Sequence, residues 1–91
     1  MKQIKNNQLL GAMRKVLRDL RAGTGLTQDA IITDIFDRKG TTINLARIET
    51  GDGNISPSTL FLLCDYYQVS LSKFFQKVEE VDKKLLIKDK K

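Results

Sequence analysis

Thr42, Ile43, Asn44 and Arg47 bring several kinds of recognition contact into one short stretch. The Asn44 carboxamide sets a donor beside an acceptor, the pattern that pairs with the N6 and N7 edge of adenine. The Arg47 guanidinium offers parallel donors, which suit the O6 and N7 of guanine. The methyl groups of Thr42 and Ile43 can lie against the C5-methyl of thymine. This is recognition chemistry, and the plainer alternative for these residues is an ordinary solvated helix face.

Bond-making chemistry has little to use. The 91 residues contain no histidine and a single cysteine, Cys64, which removes an internal disulfide and the usual zinc ligand sets. No Ser or Cys stands beside a base, and no glycine-rich loop is spaced to cradle a phosphate. Cys64 lies in an apolar run and reads as a packed thiol. Neither an enzyme nor a cofactor is expected.

A formal charge of +5 favours a polyanionic partner, but its distribution qualifies that. Residues 1–25 carry six Lys or Arg against one Asp, and residues 76–91 carry six against four acidic residues. The middle, 26–75, holds four basic and six acidic side chains. Arg14, Lys15 and Arg18 read as a solvated face that can assist at phosphates. No apolar run reaches the ~18 residues of a membrane span and no signal-peptide pattern opens the sequence. A cytoplasmic protein without membrane contact is expected.

Helices must position the reading residues, because the apolar periodicity is helical and only one Pro and six Gly punctuate it. Leu9, Leu10, Met13, Val16, Leu17 and Leu20 predict a first helix over 7–21, ended by Gly23 and Gly25. Thr27 caps a second helix that buries Ala30, Ile31 and Ile35, and Asp37 to Gly40 read as a turn. Thr41 can cap a third, in which Leu45 and Ile48 point inward and Gly51 makes a left-handed stop. Ser56 and Pro57 open a fourth helix that runs to Tyr67. Ser70 caps a fifth that ends in a Lys-rich tail. The expectation is an all-α fold of five helices with an extended C-terminal helix. Its domain covers 1–75, with a helix extension and basic tail over 76–91.

Two helices joined by a turn, the second with a polar front and an apolar brace behind it, make a helix-turn-helix pair. The segments LRDLRAGTGLTQDAI, TTINLARIETG and PSTLFLLCDYYQVSLSKFF resemble the Cro/lambda-repressor-type helix-turn-helix family, the XRE family, from Leu17 to Phe75. The resemblance implies a lambda-repressor-like DNA-binding domain, with the helix-turn-helix pair at about 27–51 and double-stranded DNA as partner. By it, Gln28 matches a glutamine that meets a phosphate and supports the reading helix, and Thr41 matches the cap of that helix. Thr42, Ile43, Asn44 and Arg47 match its base and backbone contacts. Arg21 and Glu49 match a pair that forms a partly buried salt bridge between helices one and three. The sequence departs from the family at FDRKG, residues 36–40, which lengthen the turn before the reading helix. Arg38 and Lys39 of that turn can grip phosphates. Ile32 stands where the family has a small residue, and Asp29, Asp34 and Asp37 would repel phosphates if they faced DNA.

Helix four has almost no polar face, so Phe61, Leu62 or Tyr66 needs a cover. Leu71, Phe74, Val78, Val81 and Leu85 recur at steps of three and four. Both patterns point to a homodimer using Phe61, Leu62, Tyr66, Val78, Val81 and Leu85, the alternative being a core followed by a tail. A two-fold dimer would set two reading helices about 34 Å apart on a palindromic site. The sequence therefore reads as a sequence-specific, repressor-like transcriptional regulator. One alternative is the antitoxin of a toxin–antitoxin pair, which would hold a protein partner as well as DNA. Another is a protein-interaction module that has lost DNA binding.

Overall fold

The computed structural model describes residues 7–51 and 55–82, and every regular element among them is helical. The elements are α1 (Asn7–Thr24), α2 (Gln28–Lys39), α3 (Leu45–Thr50), α4 (Pro57–Tyr66) and α5 (Leu71–Val81). Leu85, the Lys-rich tail and the basic residues before Asn7 lie outside the described residues.

α1 buries Leu10, Met13, Val16 and Leu17, the stripe that its apolar spacing dictates. It continues through Gly23, and Gly25, with φ of 74°, supplies the left-handed exit. α2, α4 and α5 begin where a side-chain oxygen can take up an orphan N–H. Thr27, Ser56 and Ser70 accept from Ala30, Thr59 and Lys73 respectively.

α1 is the spine. α5 runs antiparallel along it, and Gln8 Nε2 donates to Asp82 Oδ2 at 2.7 Å where the two ends meet. Phe74 and Val78 of α5 join Leu17, Ile31, Ile35, Leu45 and Leu63 in one core. Val78 is only 1% exposed, so it serves this chain's own core and is not free for a second subunit. A three-four apolar repeat buries a face without specifying what covers it, and here α1 does so.

Two local expectations are overturned. Asp37, Arg38 and Lys39 form the last turn of α2, and the chain turns only at Gly40, with φ of 71°. The helix persists because Arg38 pairs with Asp34 one turn back and Lys39 reaches Asp65 of α4. Both cations also suit the negative end of the helix. FDRKG therefore lengthens the helix before the turn. Ala30, expected inside, is exposed, and α2 buries only Ile31 and Ile35.

α4 ends in a paired hydrogen-bond motif, Gln68 N–H to Asp65 O and Val69 N–H to Cys64 O. This places Gln68 at φ 61°, a left-handed conformation in which a side chain is strained. Gln68→Gly is expected to stabilise the fold by about 1 kcal/mol, read as a higher urea midpoint with unchanged m-value.

Candidate nucleic-acid interface

The residues expected to read DNA sit on a short helix and the stretch of chain that leads into it. α3 begins only at Leu45, and its cap is Asn44, whose Oδ1 accepts from the Arg47 N–H at 3.0 Å. Thr41, expected as the cap, lies in the connection with Thr42 and Ile43. Capping from Thr41 would carry Thr42 and Ile43 into the helix. Starting at Asn44 instead still buries Leu45 completely.

The other end of α3 stops for a different reason than expected. Gly51 has φ of −73° and is extended, not left-handed. A Cβ there would lie 2.5 Å from the Arg47 carbonyl oxygen, so it is close approach that calls for glycine.

One buried carboxylate fixes the pose of α3. Glu49 is 1% exposed and receives both Arg21 Nε at 2.8 Å and Arg21 Nη2 at 2.9 Å. Gln28 Nε2 adds a third donor at 2.9 Å. Arg18 Nη1 donates to the Glu49 backbone carbonyl at 3.0 Å, meeting the negative end of α3. No local pattern signals this role for Arg18. Three helices are thus joined at one residue two positions after Arg47. The Glu49 carboxylate also holds the Arg21 proton more firmly, raising its pKa above the ordinary value.

Tyr67 packs beside this cluster with its hydroxyl buried and unpaired among the described residues. Burial, with Glu49 nearby, pushes its pKa from 10.0 up to about 12. The folded state therefore keeps the phenol proton that the unfolded chain releases above pH 10, so stability falls as pH rises from 10 towards 12. Tyr67→Phe is expected to flatten that fall in urea midpoints measured from pH 9 to 11.5. At pH 7 it should be close to neutral, since it removes an unsatisfied hydroxyl.

Thr42, Ile43, Asn44 and Arg47 converge on one open cleft of about 390 Å³, shared with Ile55 and Thr59. Among the described residues its lining carries a single charge, the Arg47 guanidinium, and no carboxylate. Ser56 and Thr59, at the start of α4, enter this face unforeseen, although the hydroxyl-rich "SPST" was their signal. Gln28, engaged with Glu49, stands at the first turn of α2 and keeps one amide N–H for another acceptor.

Arg38 and Lys39 are not brought to this cleft. They lie at the opposite end of α2 from Gln28, held by Asp34 and Asp65, and Arg38 also rests over the Tyr66 ring at 5.6 Å. Asp29, Asp34 and Asp37 line a separate hollow along α2 with Leu26. Of the apolar residues expected to meet a partner, Phe61 is 58% exposed and Val81 is also exposed. Leu62 and Tyr66 are half-buried against the core, and the Tyr66 hydroxyl donates to Asp34 Oδ2 at 2.7 Å. α2 thus meets helix four at Tyr66 and Asp65. Leu71, the first residue of the three-four repeat, and Phe75, which lies outside that repeat, are exposed one turn apart on α5.

No helix among the described residues is long and apolar enough to cross a membrane. No curated protein and no solved structure matches the chain. A family profile described as Helix-turn-helix matches residues 17–74, more than half of the chain. That span runs from the second half of α1 to Phe74 and takes in the Glu49 cluster and the Arg47 cleft. The chain belongs to the helix-turn-helix family of XRE type, a family of DNA-binding regulators.

Proposed function

We propose that the protein is a sequence-specific, repressor-like transcriptional regulator that binds DNA as a homodimer. The observation that carries this reading is the cleft at α3, where amide, guanidinium and hydroxyl groups gather around Arg47 with no carboxylate among the described lining residues. The acidic residues of α2 line a different hollow, so they need not oppose a phosphate backbone that approaches α3. Because α3 has only six residues, its reading edge includes the preceding connection, with Thr42 and Ile43 ahead of Asn44 and Arg47. Gln28 and the first turn of α2 would then lie across the backbone.

Dimerisation draws on the apolar surface at the α4–α5 junction. Phe61, Val69 and Leu71 border one groove there, and Phe75 follows Leu71 by one helical turn. In sedimentation velocity, the wild type is expected as a dimer at micromolar concentration and Phe61→Asp as a folded monomer. A wild-type monomer would remove the dimer from the account. Selection of duplexes from a random library tests the rest. A palindromic site with half-sites one helical turn apart is expected, and failure to enrich any sequence would contradict sequence-specific reading. A small protein that co-purifies with the chain from its native cells would favour the antitoxin reading instead.

A further inference from the structure

We infer that the cleft beside Arg47 is a receptor for the 5-methyl group of a pyrimidine. The inference rests on the reading of this face as the DNA-binding surface and names what it selects. Its floor is made by Ile43, Ile48 and Ile55, which come from the connection before α3, from α3 itself and from the segment before α4. Each packs against the core yet stays partly exposed at the cleft. Three β-branched side chains from separate segments thus converge on one hollow, under a rim of Thr42, Asn44 and Arg47.

An apolar floor beneath a polar rim selects a group that is itself apolar and flanked by polar atoms. The major-groove edge of DNA is built of nitrogen and oxygen acceptors and amino donors, with one apolar substituent, the C5-methyl of thymine. 5-Methylcytosine offers the same methyl. The rim distinguishes the two. Arg47, the one charged group among the described lining residues, supplies donors only, and Asn44 Nδ2 adds another. These donors suit the O4 acceptor of thymine, while the hydroxyls of Thr42, Ser56 and Thr59 on the same lining can serve either base. The donors of Arg47 and Asn44 tip the receptor towards thymine.

The test uses the full chain and duplexes selected from a random library. Deoxyuridine replaces each thymidine in turn, and 5-methyldeoxycytidine replaces each deoxycytidine. Burying one methyl group is worth about a fourfold change in affinity, so uracil in one half-site should weaken binding by about fourfold and uracil in both by about sixteenfold. Ile43→Ala, and separately Ile55→Ala, should erase that difference while the variant still melts cooperatively and binds the duplex. Two variants are used so that the unfolding of one leaves the other to report. A gain at 5-methylcytosine in place of a thymine effect would keep the receptor and overturn its preference for thymine. Binding that tolerates uracil everywhere and gains nothing from 5-methylcytosine would overturn the inference and leave DNA reading intact. Failure to enrich any duplex would contradict the sequence-specific reading on which the inference rests, and the inference with it.

Discussion

Arg21→Met is expected to destabilise the fold by about 3–5 kcal/mol, because it leaves the Glu49 carboxylate buried with its main counter-charge removed. Glu49 is 1% exposed at its side chain and Arg21 25%, so the two partners are not equivalent. Glu49→Gln leaves a guanidinium that water can still reach and an amide oxygen that can still accept from it. Its cost should be clearly smaller than that of Arg21→Met. A domain of this size has roughly 5–14 kcal/mol in all, so Arg21→Met approaches the limit of folding. The melting temperature should fall by roughly 4–8 °C for each kcal/mol lost. In the double variant Arg21→Met/Glu49→Met the loss should be well below the sum of the single losses. Strict additivity would mean that the pair seen at 2.8 Å contributes nothing specific.

Arg47→Ala should weaken DNA binding by about 1–3 kcal/mol, roughly 5- to 150-fold, with little change in stability. Arg47 is exposed, and the groups that its neighbours need from it are backbone atoms. Its N–H goes to Asn44 and its carbonyl accepts from Gly51 at 2.6 Å. Asn44 calls for a different substitution. As the cap of α3 it cannot be replaced by alanine without a cost of about 1 kcal/mol in stability. Asn44→Ser keeps a capping oxygen and removes the amide, so a loss of affinity at unchanged stability would report base contact alone. Arg38→Ala/Lys39→Ala should change affinity far less than Arg47→Ala, because those cations are held at Asp34 and Asp65.

The features legible in the sequence are those governed by neighbouring residues. Thr27, Ser56 and Ser70 each precede an apolar helical stripe and accept from the N–H three residues on, so local chemistry placed three helix starts. The start of α3 was harder to place, because Thr41 and Asn44 are both good caps. Asn44 takes the Arg47 N–H in the fold, and no local signal separates it from Thr41. Periodicity identified the inward face of α5 but not its cover, which is why Val78 could be taken for an interface residue. Arg38 and Lys39 looked free because their carboxylate partners, Asp34 and Asp65, become neighbours only through the helical turn of α2 and its approach to α4. Arg21 and Glu49, far apart along the chain, were linked by family resemblance and not by any local pattern.

The central claim is that α3 and the connection before it meet DNA through Arg47. The most direct measurement is fluorescence anisotropy of a labelled duplex with the full chain over a salt series, comparing wild type, Arg47→Ala and Arg38→Ala/Lys39→Ala. The account predicts wild-type affinity that falls steeply with salt, a marked loss for Arg47→Ala and near wild-type binding for the double variant. Equal affinity for wild type and Arg47→Ala, or no binding even at low salt, would contradict it.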